Sequence, residues 1–373
     1  MRWSILLGLC AATAWAEPTW VRTVIDPTFR SEGAAVADVN RDGKLDILVG
    51  DLWYEAPEWK QHPIRALGKY NWENGYSKAF LVFASDVDGD GWPDQIVMGF
   101  PGQPCLWYQN PGKENRPWRE GHIAPRTCNE QPLVVDLLGN GKLVPVFGDA
   151  ATGTMYWYSP GADPFKPWDA HAISAPKSPG TANFSHGLGT GDVNGDGRLD
   201  VLVKEGWWEA PVDRAQSPWT FHKANLGQDC AQLAVWDVNG DGRRDVVTSS
   251  AHRYGVWWHE QNADGSFSQR LVHDKVSQTH ALALADINRD GVPDIVTGKR
   301  FWAHNGKDPG EKEPAILCWY ERTLAGGKLD WVQHVVSEES GVGMQIIVVD
   351  LNADGKDDFV VSNKKGVQIL LQR

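Results

Sequence analysis

Six short segments of the sequence carry oxygen-bearing side chains at a spacing that suits a calcium ion. Each has Asp at position 1, Asn or Asp at position 3, Asp at position 5, Gly at position 6 and Asp at position 9. Side-chain oxygens at positions 1, 3, 5 and 9, with the backbone carbonyl of position 7, can surround Ca²⁺ while the glycine makes the turn. The predicted ligand sets are Asp38, Asn40, Asp42 and Asp46; Asp86, Asp88, Asp90 and Asp94; Asp192, Asn194, Asp196 and Asp200; Asp237, Asn239, Asp241 and Asp245; Asp286, Asn288, Asp290 and Asp294; and Asp350, Asn352, Asp354 and Asp358.

These segments are not EF-hands, because position 12 is Val or Thr in every copy where an EF-hand needs Glu. A metal-free turn is the alternative for any single copy, but six such copies favour up to six structural Ca²⁺ ions. A seventh copy beginning at Asp136 has Leu138, Asn140 and Val144 at positions 3, 5 and 9, and we expect it to bind no metal. The formal net charge of −12 agrees, since six Ca²⁺ ions would offset most of it.

A second set of reactive side chains lies outside these segments. The residue six positions before the first Asp of each copy is His or Glu in four of the seven copies, which are Glu32, Glu130, His186 and His280. The connection after the second strand of a repeat adds further candidates, which are His252, Lys299, Arg300 and His304. His and Glu together could hold a divalent metal or act as acid and base, and the cations could stabilise an enediolate. The alternative is that these side chains line a polar, water-filled channel.

The elements that must position these residues repeat about every 50 residues. Each copy has an apolar strand before the Asp-rich loop, a second strand after it, an aromatic strand such as Trp257-Trp258, and an outer strand. This pattern predicts an all-β, seven-bladed β-propeller with four antiparallel strands per blade. Residues 20–25 would complete the last blade and leave no open edge. The calcium loops would then lie on one face, and the His and Glu candidates on the other.

Several other residues have structural interpretations. Five histidines occupy the outer-strand pattern Trp-x-x-His or a close variant of it and should pack within the blades; they are His62, His122, His171, His222 and His334. Cys105 and Cys128 fall on predicted neighbouring connections, so a disulfide between them is plausible in an oxidising compartment.

The Asp-rich loops and their flanking strands resemble the FG-GAP/VCBS repeat propellers, a family that includes integrin α-subunit heads and many exported bacterial proteins. The resemblance covers nearly all of residues 17–373 and implies calcium between the first two strands of each blade. It implies little about function. The His and Glu arrangement is similar, more weakly, to the propeller domain of aldos-2-ulose dehydratases, which implies a metal-assisted site for a sugar lyase.

Residues 1–16 are predicted to be a cleavable signal peptide. Arg2 precedes a short apolar run, and Ala14-Trp15-Ala16 is a small-x-small cleavage signal. The mature chain, residues 17–373, would be a single propeller domain, exported to the periplasm or secreted. Lipidation at Cys10 is disfavoured because Leu9 precedes it.

No later segment is long and apolar enough to span a membrane, and the acidic charge balance disfavours nucleic acid as a partner. We expect a monomer.

The sequence leaves two classes of function open. One is a carbon–oxygen lyase or dehydratase that acts on a sugar-like substrate and uses a further divalent metal. The other is a non-catalytic module that binds a carbohydrate, another small polar ligand or a protein partner. The motifs of serine hydrolases, zinc proteases and nucleotide-binding enzymes do not occur in the sequence.

Overall fold

The computed structural model describes residues 17–228 and 230–373, so the predicted signal peptide lies outside the described residues. The described chain forms 28 strands and one short 3-10 helix, Ala303–Asn305. The strands are β1 (Trp20–Asp26), β2 (Ala35–Ala37), β3 (Asp46–Val49), β4 (Leu52–Glu55), β5 (Lys60–Pro63), β6 (Leu81–Ser85), β7 (Asp94–Met98), β8 (Cys105–Gln109), β9 (Arg119–Ala124), β10 (Leu133–Val135), β11 (Val144–Asp149), β12 (Thr154–Ser159), β13 (Asp169–Ala172), β14 (Leu188–Gly191), β15 (Asp200–Val203), β16 (Gly206–Glu209), β17 (Thr220–Lys223), β18 (Gln232–Trp236), β19 (Asp245–Ser249), β20 (Tyr254–Gln261), β21 (Phe267–Ser277), β22 (Ala281–Ala285), β23 (Asp294–Gly298), β24 (Leu317–Ala325), β25 (Lys328–Ser337), β26 (Ile347–Val349), β27 (Asp358–Asn363) and β28 (Gly366–Gln372). No helix in these described ranges is long and apolar enough to cross a membrane.

The strands form five separate four-stranded sheets and one sheet of eight strands. The large sheet contains two four-stranded units, β14–β17 and β18–β21, whose inner strands β14 and β18 pair in parallel. Gly189 permits this close approach, because a Cβ atom there would lie 2.2 Å from the carbonyl oxygen of Leu233. The described strands thus make seven four-stranded units in six sheets, and the predicted all-β propeller class is confirmed.

The two ends of the chain share one unit. β1 pairs antiparallel with β28, from Trp20 opposite Gln372 to Asp26 opposite Val367. The ring of Trp20 packs 4.5 Å from that of Phe359, measured between centroids. The predicted closure by the N-terminal strand is therefore confirmed, and it leaves β28 paired on both sides.

The hydrophobic core lies between adjacent units, where apolar side chains of neighbouring sheets meet. Val49 of the first unit and Val360 of the last, for example, belong to one buried cluster.

At the outer strands the predicted histidine packing is seen in four cases. The His ring stacks on a Trp ring at centroid distances of 3.8 to 4.3 Å in the pairs His62–Trp53, His171–Trp157, His222–Trp207 and His334–Trp319. His122 is different, since its side chain is 62% exposed beside Glu120.

The proposed disulfide between Cys105 and Cys128 is wrong. Both side chains are buried and neither is in a disulfide. Cys105 is the first residue of β8 rather than part of a connection, and it lies opposite Ala124 of β9. The Cys128 thiol donates instead to Oδ1 of Asn129, at 3.4 Å.

Candidate functional site

The residues that precede each inner strand are joined to one another by backbone hydrogen bonds between neighbouring units. The Glu32 N–H donates to the Ala79 carbonyl at 3.1 Å, and the Met344 N–H donates to the Glu32 carbonyl at 2.6 Å. The Glu130 N–H donates to the carbonyl of Ser185 in the same way, at 3.1 Å. These bonds hold the side chains that precede the inner strands at similar depth around the axis of the propeller. We use the term funnel for the space that is lined by the side chains of Glu32, Glu130, His186 and His280.

Three histidines from three different units meet in the funnel. One ring nitrogen each of His186, His252 and His280 lies within 4.8 Å of the others. The ring centroids of His186 and His252 are 4.5 Å apart, and those of His252 and His280 are 5.4 Å apart. Three imidazole nitrogens this close together are a common set of ligands for a divalent transition metal.

In two of these histidines, His252 and His280, one ring nitrogen is directed to an acceptor. His280 Nδ1 lies 3.2 Å from the Gln278 carbonyl oxygen, and His252 Nδ1 lies 3.4 Å from Oδ2 of Asp308. Metal-binding histidines commonly donate their second N–H in this manner. Burial, together with the charges of Arg300 and His252, lowers the pKa of His280 well below its usual value, so this imidazole is neutral and able to bind metal. The residues present therefore fit a metal ion.

Asp308 fixes two of the histidines at once. Its Oδ2 atom is 2.8 Å from His304 Nδ1 in addition to its contact with His252. Burial alone would raise the pKa of Asp308, but the hydrogen bonds and charges of the two histidines hold it well below its usual range. His252, His304 and Asp308 also form a second group with ligand atoms within 4.8 Å, so His252 belongs to both groups.

The predicted carboxylates enter the funnel beside this cluster. Glu130 Oε2 lies 3.1 Å from His186 Nε2, although the two atoms are not aligned for a hydrogen bond. Burial opposes the ionised form of Glu130, but the nearby His186 and Arg300 lower its pKa below the usual value. Glu32 is fully buried, and its Oε2 accepts a hydrogen bond of 3.1 Å from Arg300 Nε.

The structure brings seven of the eight predicted site residues together, and the eighth, Lys299, has its hydrogen bonds with a neighbouring loop. The Lys299 Nζ donates to the carbonyl oxygens of Glu311 and Glu313 at 2.8 and 2.7 Å. This ammonium group therefore stabilises the loop that follows β23, and a role of Lys299 in the site stays a prediction.

Three residues of the site were not predicted. Tyr76 accepts the His304 backbone N–H through its hydroxyl at 3.2 Å, and Asp308 joins two histidines. Lys364 is 3% exposed, and its Nζ donates to the Trp302 carbonyl oxygen at 3.1 Å. Lys364 lies between β27 and β28, in a connection equivalent to those that contain His252 and Arg300. Its position in the repeat could therefore have identified it as a candidate site residue.

Many buried polar atoms of the funnel have no hydrogen-bond partner within the part of the chain that the structure describes. They are Glu32 Oε1, Glu130 Oε2, Gln131 Oε1, His186 Nε2, His280 Nε2 and Arg300 Nη2. Each unsatisfied buried group costs about 1–3 kcal/mol of stability. Glu130 Oε2 and His186 Nε2 lie 3.1 Å from each other, and the remaining donors and acceptors of the funnel are available to water or to a polar ligand.

A pocket of about 510 Å³ adjoins the histidine cluster. Its lining includes His186, Lys204, Glu205 and Phe184. The Phe184 side chain is 42% exposed and meets the ring of Phe100 at a centroid distance of 5.2 Å. This volume is large enough for a small organic ligand to reach His186 from solvent.

The Asp-rich loops lie at the opposite ends of the inner strands. Their donors are oxygens, the ligands that Ca²⁺ prefers, and in the second loop one oxygen each of Asp86, Asp88 and Asp90 lies within 4.8 Å of the others. Position 9 has an additional structural role. Asp200, for example, is fully buried, and its two oxygens accept the N–H groups of Val193 and Ala210 at 2.9 and 2.8 Å.

Comparisons with known proteins agree with this architecture. Residues 237–297 match the model of the FG-GAP-like repeat family. No curated protein is similar enough to match. The rhamnogalacturonan lyase YesW aligns with a TM-score of 0.50 and 13% identity over 94% of this chain and 72% of its own. An Agrocybe aegerita lectin, described as recognising non-reducing terminal N-acetylglucosamine, aligns with a TM-score of 0.49 and 18% identity over 97% of this chain and 87% of its own.

At 13% identity the similarity to YesW is one of fold alone. The family match begins at the fourth Asp-rich loop in the order of the chain, at Asp237, and it also includes the fifth, which begins at Asp286. Together with the strand topology, this match identifies the chain as a β-propeller protein that carries an FG-GAP-like repeat.

Proposed function

We propose that the protein is a metal-dependent carbon–oxygen lyase that acts on a sugar-like substrate in the funnel. The observation that carries this proposal is the meeting of His186, His252 and His280, with one ring nitrogen of each within 4.8 Å of the others. The orientation of the second nitrogens of His252 and His280 toward Asp308 and the Gln278 carbonyl supports a metal ion rather than a simple polar lining.

The chemistry would be the removal of water or an alcohol next to a carbonyl group. A divalent metal bound there would polarise that carbonyl as a Lewis acid. Glu130 borders the histidines and would accept the proton as the C–H bond breaks and its electrons form the double bond. As the C–O bond breaks, the partly exposed His304 would give a proton to the leaving oxygen, oriented by Asp308.

Two features of the funnel support a sugar-like substrate. The funnel offers both donors and acceptors among its unpartnered atoms, as the hydroxyl groups of a sugar require. The adjoining pocket of about 510 Å³ has an exposed aromatic ring, Phe184, on which the apolar face of a sugar could stack.

We also propose that the six Asp-rich loops bind Ca²⁺ and that the protein works outside the cytoplasm. Calcium in these loops would be structural, since it would lie at the ends of the inner strands far from the funnel residues. Its contribution would be to hold the turns between the first two strands of each unit.

A second candidate function is non-catalytic binding of a carbohydrate in the same funnel. The observation that favours it is that several charged groups already have protein partners. Glu32 is paired with Arg300, and Asp308 contacts two histidines. The unpartnered polar atoms would then serve to hold a ligand without changing it.

Metal analysis of the purified protein tests the proposed function. We expect about one transition-metal ion per chain in the unmodified protein after loading with Zn²⁺ or Mn²⁺ and dialysis. The double variant His186→Ala/His280→Ala should lose this metal and keep its Ca²⁺. The matched control is His171→Ala/His222→Ala, which changes two outer-strand histidines and should keep both metals. Calcium alone in the unmodified protein would refute the metal centre and favour the binding module.

A further inference from the structure

We infer that Arg300 and Lys364 form a subsite in the funnel that binds the carboxylate of an acidic sugar. This inference rests on the proposed function, because it places one part of the substrate in the same funnel, and it adds the chemical class of that substrate.

Two buried cations share one aromatic ring at this position. The Arg300 side chain is 1% exposed and Lys364 is 3% exposed. Arg300 Cζ lies 5.5 Å from the centroid of the Tyr76 ring, and Lys364 Nζ lies 4.4 Å from the same centroid. Stacking of Tyr76 on Phe100, with centroids 4.9 Å apart, keeps this ring in place. Burial of two like charges so close together is costly unless anions compensate them.

The protein satisfies only part of the hydrogen-bonding capacity of these cations. Arg300 Nε donates to Glu32, but Arg300 Nη2 is buried and has no acceptor among the described residues. Lys364 Nζ directs one of its three protons to the Trp302 carbonyl. A guanidinium edge and an ammonium group with open donors are the groups that proteins use to bind a carboxylate.

The surrounding acids do not remove this demand. Glu32 contacts Arg300 directly, and Glu130, which lies 3.1 Å from His186, also interacts electrostatically with Arg300. Glu311 also interacts with Lys364, and burial raises the pKa of Glu311. None of these acids accepts a hydrogen bond from Arg300 Nη2 or from Lys364 Nζ among the described residues, so these donors remain open to the carboxylate of a ligand.

Calorimetric titration near neutral pH with D-glucuronate, and with D-glucose as its neutral counterpart, tests the subsite. We expect the unmodified protein to bind D-glucuronate at least about tenfold more tightly than D-glucose, the factor that one charge-assisted hydrogen bond supplies. Lys364→Met keeps the apolar part of the side chain and should weaken D-glucuronate binding by about the same factor. Lys365→Met, on the same turn, should change it less than about twofold.

The comparison of the two sugars on the unmodified protein needs no variant, so the test survives a folding defect in Lys364→Met. Equal binding of both sugars, or equal effects of the two lysine variants, would overturn the subsite. Metal content measured on the same preparations separates this outcome from failure of the metal centre. Bound metal without preference for D-glucuronate refutes the subsite alone, whereas preference without metal supports the subsite and refutes the metal centre.

Discussion

At the scale of single residues, the histidine cluster depends on one carboxylate that the reaction itself need not touch. Asp308 accepts from His304 at 2.8 Å and contacts His252 at 3.4 Å through the same oxygen. It therefore determines which nitrogen of His252 remains available to a metal. A group that acts in this way positions the ligands, and its loss should weaken metal binding without unfolding the protein.

We therefore predict that Asp308→Asn lowers the affinity for Zn²⁺ by about 10–100-fold, because an amide cannot supply the charge that orients the two imidazoles. Competition with a chromophoric chelator measures this affinity. The control is Asp213→Asn, an exposed position on the connection after β16, which should bind Zn²⁺ as the unmodified protein does. Unchanged affinity in Asp308→Asn, at an unchanged melting temperature, would contradict the positioning role.

The sequence located most of these residues because they occupy equivalent positions in a repeat. A fixed offset of six residues from the first Asp of a loop selects Glu32, Glu130, His186 and His280, and the backbone bonds between units make that offset a common depth. Asp308 and Tyr76 could not be found in this way. They lie on long connections that follow no repeat, and their contacts depend on how those connections pack across the funnel. The hydrogen bonds of Lys299 could not be predicted for a related reason, since the carbonyls that accept them also belong to such a connection.

At the scale of elements, the Asp-rich loops combine two kinds of carboxylate. Asp200, at position 9, is buried and accepts two backbone N–H groups, whereas Asp196, at position 5, is exposed and pairs with Arg198. The sequence pattern predicts that both are calcium ligands. The structure shows that position 9 also joins the loop to the end of the aromatic strand, which periodicity alone does not reveal.

We predict that the two positions respond differently to calcium removal. In excess EGTA, Asp200→Asn should destabilise the protein by about 1–3 kcal/mol, because one of its two backbone donors loses its acceptor. Asp196→Asn should have little effect in EGTA, but it should reduce the rise in melting temperature that added Ca²⁺ produces. Thermal denaturation with EGTA and with Ca²⁺ measures both effects.

Asn140→Ala, in the loop that we expect to bind no metal, is the matched control and should leave the calcium response intact. Identical melting curves of the unmodified protein in EGTA and in Ca²⁺ would mean that the loops are metal-free turns.

At the scale of the whole molecule, the repeat and its closure could be read from the sequence, but the pairing of two units in one sheet could not. The spacing of the loops and the aromatic strands predicted seven four-stranded units, and the strands at both ends of the chain predicted how the last unit is completed. The parallel pairing of β14 with β18 depends on small inner-strand residues. Gly189 and Gly191 bring the strands together, since Cβ atoms there would lie 2.2 and 2.4 Å from atoms of β18.

Closure by β1 also connects the last unit to the first. Asp26, the last residue of β1, accepts hydrogen bonds from Tyr54 of β4 at 2.7 Å and from Arg30 at 2.9 Å. Burial alone would raise the pKa of Asp26, but the backbone N–H of Thr28 and the Tyr54 and Arg30 side chains lower it below the usual value, so the carboxylate is ionised when it makes these bonds. Removal of β1 would therefore expose the edge of β28 and release Tyr54 at the same time.

We predict that deletion of residues 17–26 makes the protein aggregate or become sensitive to protease, because an unpaired strand edge pairs readily with other chains. The control lacks only residues 17–18, which precede β1, and should behave as the unmodified protein. Size-exclusion chromatography and limited proteolysis report both properties.

A synthetic peptide of residues 19–26 should restore protease resistance to the deletion variant by adding the missing strand to β28. A monomeric deletion variant with an unchanged melting temperature would show that β1 is dispensable and that the inner strands and their loops are sufficient to hold the propeller together.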